Sequence, residues 1–192
     1  MNLALFDFDG TITKKDSLNE FLKFASTRSE YLLKMLTFLP IFLLYKTGFI
    51  KNDKAKQMLL KLFFKGWSKK KFEKKAKDFS LSVLDSILRD DLYSFLKEHK
   101  KRGDKVVIVS ASMECWLKPW CQKEEVELIS TRLKFEDGRF GGEFLTKNCY
   151  GKEKVVRIKE VYDLKLFEKV YAYGDSKADR YMFELADEWR YV

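Results

Sequence analysis

The chain has 192 residues, a length that suits one domain or one domain with a modest insertion. Hydrophobic residues make up 46% and aromatic residues 16%, which supports a packed core and excludes a disordered chain. The formal charge of +9 is unevenly placed: Lys14 to Lys77 hold 17 basic against 5 acidic residues, the remainder 21 against 24, so one segment carries the whole positive field.

The first element is the apolar run at residues 3 to 8, read as a buried strand that meets Asp7 and Asp9 and then turns sharply at Gly10. It starts without the basic region that a signal peptide needs. Side chains two apart on a strand point the same way, so Asp7 and Asp9 are expected to face one site. Two carboxylates so close repel, and both stay ionised only if a cation holds them; otherwise one keeps its proton. Phosphoryl transfer uses both states, one acid attacking phosphorus and its neighbour passing a proton to the leaving alcohol. Taken alone, an ordinary strand end with an Asp-Gly turn explains the same residues.

Residues 14 to 88 contain no convincing strand and read as several helices inserted after the first strand, a helical cap. Their apolar centre, "YLLKMLTFLPIFLLYKTGFI" at 31 to 50, falls short of a membrane span, which takes about 20 apolar residues. Lys34 and Lys46 leave only the 11 residues from Met35 to Tyr45, and Pro40 is expected to interrupt the helix. The following "KNDKAKQMLLKLFFKGWSKKKFEKKAK" mixes Leu, Phe and Trp67 with dense lysine, as a membrane-surface segment does. Residues 31 to 77 are therefore expected to meet an anionic membrane; a helix buried in a bundle is the alternative for the apolar run. Nucleic acid is disfavoured because the lysines alternate with aliphatic runs rather than exposed stacking platforms. No protein partner is implied.

"DDLYSFLKEHKKRG" reads as a helix stopped by Gly103, with the single His99 solvated at its polar end, so catalysis must manage without histidine. "KVVIVSAS" at 105 to 112 is a second buried strand, where the Ser110 hydroxyl could hold a phosphoryl oxygen. "VELIS" at 126 to 130 is a weaker strand, and 131 to 146 alternate around Asp137-Gly138 as a hairpin flap. Lys152 and Lys154 open a helical pattern, a place that favours an anion. "EKVYAYGDS" at 168 to 176 is a third buried strand, and "EWRYV" a weak last one. Asp175 follows the third strand and Asp179 comes four residues later, a spacing for a metal ligand and its support. Cys115, Cys121 and Cys149 form no C-x-x-C pair and read as reduced cytosolic thiols. Strands alternating with helices imply a parallel sheet with ligands at its carboxyl edge, gathering Asp7, Asp9, Ser110 and Asp175 around one crevice.

In this order the motifs resemble the haloacid dehalogenase-like phosphatases: "DFDGT" is similar to their first motif, Ser110 to the second, Lys154 to the third and "GDSKAD" to the fourth. The resemblance implies a Rossmann-like α/β core at 1–13 and 89–192 with a helical cap at 14–88, as in the branch containing phosphoserine phosphatase. It implies Asp7 as nucleophile and Asp9 as general acid and base. Ser110, Lys154, Gly10 and Thr11 would hold phosphate. Asp7, Asp175 and the backbone carbonyl of Asp9 would bind Mg2+, with Asp179 supporting. Lys154 matches the family lysine better than Lys152 because it directly precedes the apolar pattern "VVRI". The proline-bearing apolar run and "FGGEFLTKNCYGKEKV" resemble the bacterial phosphatidylglycerophosphatase C type. That implies a lipid-phosphate substrate met at the inner face of the cytoplasmic membrane. A phosphatase of a small cytosolic ester such as phosphoserine, and a non-enzymatic binder of membrane or nucleic acid, are the rivals.

Overall fold

β1 (Leu3–Phe6) opens the chain as four apolar residues, all buried, in a computed structural model that describes residues 1–192. Four helices follow, α1 (Ser17–Ala25), α2 (Arg28–Lys46), α3 (Asn52–Phe64) and α4 (Lys69–Ser82), then a 3-10 turn at Leu84–Ile87. α5 (Asp90–Lys101) leads back to β2 (Lys105–Met113), α6 (Glu114–Lys123) and β3 (Glu127–Thr131). A hairpin of β4 (Leu133–Glu136) and β5 (Arg139–Phe144) precedes α7 (Lys152–Val161). The chain ends with β6 (Val170–Gly174), α8 (Arg180–Phe183) and β7 (Glu188–Tyr191).

The main sheet has the order β3-β2-β1-β6-β7 and is parallel throughout. Alternate strand residues feed two cores, because successive side chains leave a strand on opposite faces. Ala4, Phe6, Val106 and Ile108 pack with α5, α6 and the inserted helices, while Leu3, Leu5, Val107 and Val109 pack with α7 and α8. The chain steps outward from β1 to β3 and then crosses to β6 on the far side of β1. Strand order thus reverses at β1, and a crevice opens at the carboxyl ends of β1 and β6.

The inserted helices share the core of the sheet instead of forming a separate one. Phe21 of α1 stacks on Trp116 of α6 at 4.7 Å and meets Phe64 and Phe79 at 5.3 and 5.4 Å. Aromatic pairs of this kind add about 0.5–1.5 kcal/mol each beyond area burial. The hairpin turns at Asp137 and Gly138 with φ of 47° and 72°, the left-handed pair that an Asp-Gly type I′ turn requires. It is bonded to the α3–α4 loop through Gly66 N to Phe140 O at 2.9 Å and Lys69 N to Gly138 O at 2.8 Å.

Three expectations from the sequence are overturned, for Pro40, for His99 and for the strand that was to carry Asp7 and Asp9. Pro40 does not interrupt its helix: α2 runs through it from Arg28 to Lys46. The proline removes one backbone donor, but a Thr27–Glu30 capping box fixes the start and the remaining turns stay bonded. No helix is long and apolar enough to cross a membrane.

His99 is buried, not solvated, because Leu92, Leu96 and His99 share one face of α5 at i, i+4 and i+7. Its Nδ1 lies 2.8 Å from Asp104 and its Nε2 2.8 Å from the Tyr173 hydroxyl. Burial pushes the imidazole below its ordinary value despite the Asp104 hydrogen bond, and the Arg102 charge adds to that shift. The unfolded chain therefore takes up this proton at a higher pH than the folded one. Stability from His99 is complete above its ordinary value near 6.5 and falls as pH drops. Thermal unfolding of wild type between pH 7.5 and 5.5 should lose more than that of His99→Gln; equal losses would refute the assignment.

Candidate active site

β1 ends at Phe6, so the two N-terminal acids stand just beyond the strand and a loop, not strand pleating, aims them. Asp7 is tied to the sheet by its N–H, which donates to Tyr173 O at 2.9 Å. The loop then returns along itself, with Thr13 N donating to Phe8 O at 3.0 Å. Arg89 clamps it from outside by donating to the Gly10 carbonyl at 3.0 Å.

The carboxylates of Asp7 and Asp9 consequently sit in different surroundings. Asp7 accepts from the Lys154 ammonium at 2.6 Å, and Lys154 also donates to Asp179 at 2.7 Å. Asp9 accepts from the Ser17 backbone N–H at 2.6 Å, at the N-terminal end of α1, and from the Ser112 hydroxyl. Ser17 is itself fixed by Trp116, whose indole N–H donates to its hydroxyl at 3.2 Å.

Donor oxygens of Asp7, Asp175 and Asp179 lie within 4.8 Å of one another. Asp175 follows β6 and accepts from the Thr11 hydroxyl at 3.3 Å. Asp179 is held by the Ser176 hydroxyl at 2.6 Å and backbone N–H at 3.1 Å. An all-carboxylate donor set suits a hard divalent cation such as Mg2+ and offers nothing to a thiophilic metal. The Asp9 side chain, occupied by Ser17 and Ser112, lies outside this set. Its backbone carbonyl is the donor left for the metal role expected of that residue.

Ser110 is buried on β2 and accepts from the Ser112 N–H at 3.0 Å, where β2 shifts register against β3. Lys154 is buried on the first turn of α7, whereas Lys152 is exposed with its ammonium 5.6 Å from the Tyr181 ring. Of the two lysines, only Lys154 reaches the acids.

The electrostatics follow from burial. It pushes the Asp7 carboxyl up to about 7, against the pull of Lys154, with Asp179 and Asp9 adding to the rise. Burial, then the Asp16 charge, push Asp9 up to about 6, while the Ser112 and Ser17 donors pull it back. Burial and Asp179 likewise raise Asp175. Lys154 resists burial because Asp7 and Asp179 hold its proton, and its pKa is raised. A cation placed among the acids would hold Asp7 ionised.

Gly10 is needed where it stands. Its φ is 85°, and a Cβ there would lie 2.1 Å from Asp175 Oδ2. Gly10→Ala should lower stability by about 1–3 kcal/mol through strain and displacement of Asp175. At roughly 2–4 °C per kcal/mol, a thermal scan should show a clear drop, and an unchanged midpoint would refute it.

Ser17, Ser112 and Lys56 were not identified by sequence reasoning. Ser112 repeats the strand face of Ser110 two residues on, which is a usable signal. Lys56 of α3 carries none, being one lysine among many. Its ammonium donates to the Ala111 carbonyl at 3.1 Å. Burial holds its pKa below the ordinary amine value, partly offset by Asp16, Asp9 and Asp7.

Comparison with known proteins agrees with this fold. The chain is 37% identical to protein CicA of Caulobacter vibrioides over 195 residues, covering 98% of this chain and 85% of that protein. Its fold is similar to a protein of unknown function from Bordetella pertussis Tohama I, with a TM-score of 0.82, 24% identity and coverage of 98% and 88% of the two chains. It is also similar to a phospho-aspartyl intermediate analogue of phosphoserine phosphatase, with a TM-score of 0.61, 24% identity and coverage of 97% and 84%. The family model of the haloacid dehalogenase-like hydrolases matches residues 4–184, and the chain belongs to that family.

Proposed function

We propose that this hydrolase is a Mg2+-dependent phosphomonoesterase that works through an aspartyl-phosphate on Asp7, with residues 14–88 acting as its cap. The observation that carries this reading is the separation of two neighbouring acids into two environments. Asp7 lies with Lys154, Asp175 and Asp179, while Asp9 is held apart by Ser17 and Ser112.

An Asp7 oxygen attacks phosphorus and the P–O bond to the alcohol breaks, the leaving oxygen taking its proton from Asp9. Water then attacks the aspartyl-phosphate, giving its proton to Asp9 and releasing inorganic phosphate with the Asp7 carboxylate restored. Asp9, pushed up to about 6, is poised to serve both halves near neutral pH. Lys154 and Ser110 hold phosphoryl oxygens, and the Gly10–Thr11 turn shapes the cradle around them. Asp7, Asp175 and the Asp9 carbonyl would hold Mg2+, with Asp179 behind them. When bound, Mg2+ neutralises charge on the phosphate oxygens.

For the substrate we propose a lipid phosphate, phosphatidylglycerophosphate or a relative, taken from an anionic membrane at its cytoplasmic face. The support is α2, in which only Phe38 is buried. Leu33 and Leu36 are 66% and 67% exposed, with Leu32, Leu39 and Leu43 also outside. Lys34 and Lys46 flank this apolar surface, and the lysine-rich α3 and α4 follow it. Apolar area ringed by lysine binds anionic lipid by burial and charge together. The phosphoserine phosphatases among its structural relatives support a second reading, a small soluble ester.

A panel of phosphate esters separates the two. With Mg2+, liposomes carrying phosphatidylglycerophosphate should release inorganic phosphate faster than free phosphoserine does, and EDTA should stop both reactions. Faster phosphoserine turnover would overturn the lipid half, and no turnover of any ester would overturn the whole.

A further inference from the structure

An apolar cleft of about 240 Å³ lies between α1, α2 and α3. Leu18, Leu22, Met35, Phe38, Phe42 and Leu59 line it, and Asp16 and Lys56 close one end. That end adjoins the catalytic acids: Lys56 donates to Ala111, the residue between Ser110 and Ser112, and Asp16 caps the helix whose first N–H holds Asp9. The opposite wall is the inner side of α2, the helix whose outer side exposes leucines to solvent. Phe42 belongs to this lining and is 40% exposed, so the cleft opens to solvent beside α2 while its wall includes Lys56.

We propose that this cleft holds the hydrocarbon chain of the substrate, so that the enzyme selects phosphomonoesters of long-chain amphiphiles and draws them in past α2. The inference rests on the phosphomonoesterase reading and adds a site to it. The occupant is set by the two ends of the cleft. Lys56 suits an anionic head and the Leu, Met and Phe lining suits a tail; the other polar groups of the wall are already engaged, Asn19 by Tyr31 and Asn52 by Tyr45 and Asn148. The volume is about that of eight liquid waters at roughly 30 Å³ each, which is room for a chain of moderate length and too much for a single methyl group. A soluble amino-acid ester would leave most of it unfilled.

The test uses a series of alkylphosphonates, which cannot be hydrolysed, titrated calorimetrically into the protein with Mg2+. Burying one methylene raises affinity by up to about fourfold, so octylphosphonate should bind at least about tenfold more tightly than methylphosphonate. In parallel, kcat/KM for alkyl phosphates should climb with chain length. Leu59→Trp, and independently Met35→Trp, should shrink the octyl-to-methyl ratio toward one. Equal binding of methyl- and octylphosphonate by wild type would overturn the cleft and leave the phosphomonoesterase reading in place. Binding of neither, with no ester turned over, would overturn both. A stable dimer that binds the two equally would identify the occupant as a second copy of the chain, and the cleft proposal would fall.

Discussion

Asp7→Asn is expected to abolish phosphate-ester hydrolysis and yet to raise the unfolding temperature of the metal-free protein at pH 8. The first half follows from the loss of the attacking carboxylate: an amide oxygen cannot form the phosphoenzyme, and nucleophile removals of this kind cost on the order of 10^4-fold or more. The second half follows from the carboxyl being pushed up to about 7 by burial. The folded chain binds this proton more tightly than the unfolded one does. Its favourable contribution is therefore complete below the ordinary carboxylate value and is lost as pH rises through 7. At pH 8 the ionised, buried Asp7 works against the fold, a penalty set by burial and only partly offset by Lys154. A neutral amide of the same shape removes that penalty, and at roughly 2–4 °C per kcal/mol the midpoint should climb by several degrees. Mg2+ should narrow the gap by binding wild type through the same acids. Paired thermal scans with and without Mg2+ check the stability claim. A variant that still turns over esters would remove Asp7 from its role.

Lys154→Met is expected to be among the most destabilising single changes in the chain. The ammonium is buried and bridges Asp7 at 2.6 Å and Asp179 at 2.7 Å. Taking it away leaves two buried acids facing each other with no cation between them, and breaking a buried pair by removing one partner costs about 3–5 kcal/mol. The midpoint should fall by roughly 10 °C. The loss should be smaller at pH 5 than at pH 8, because Asp7 can then escape the repulsion by taking a proton. Ester hydrolysis should fall with it even where the variant is folded, since the phosphoryl contact proposed for Lys154 goes too. Unfolding curves at the two pH values decide the point: a loss independent of pH would mean that Lys154 acts through packing alone.

The sheet and the acidic cluster were legible in the sequence for one reason. In a parallel sheet covered on both faces, each strand is a short apolar run, and residues just past its end fall on the ligand edge. Residues 3 to 8, 105 to 112 and 168 to 176 all read this way, and Asp7 and Asp175 do come together beyond the ends of β1 and β6. The Asp137-Gly138 turn was legible because its left-handed φ values restrict the residues that can occupy it. What was not legible depends on tertiary neighbours. His99 looks polar among lysines, but its burial is decided by the helix face that it shares with Leu92 and Leu96. Pro40 weakens a helix locally and could not show that nineteen residues would hold together around it. Lys56 acquires its place only because α3 folds back over the β2 end, something no spacing in a lysine-rich segment records.

The hairpin bonded to the α3–α4 loop limits how the enzyme can breathe. The chain enters and leaves the helical insert side by side, with Lys14 N on Ile87 O at 2.7 Å and Arg89 N on Ile12 O at 2.8 Å. Two adjacent tethers alone would form a door hinge, free to swing the whole insert off the crevice. Strand β5 and the turn before it, from beyond the insert in sequence, supply a third attachment through Phe140 and Gly138. Swinging the insert off the crevice is then expected to require release of the Gly66–Phe140 and Lys69–Gly138 bonds.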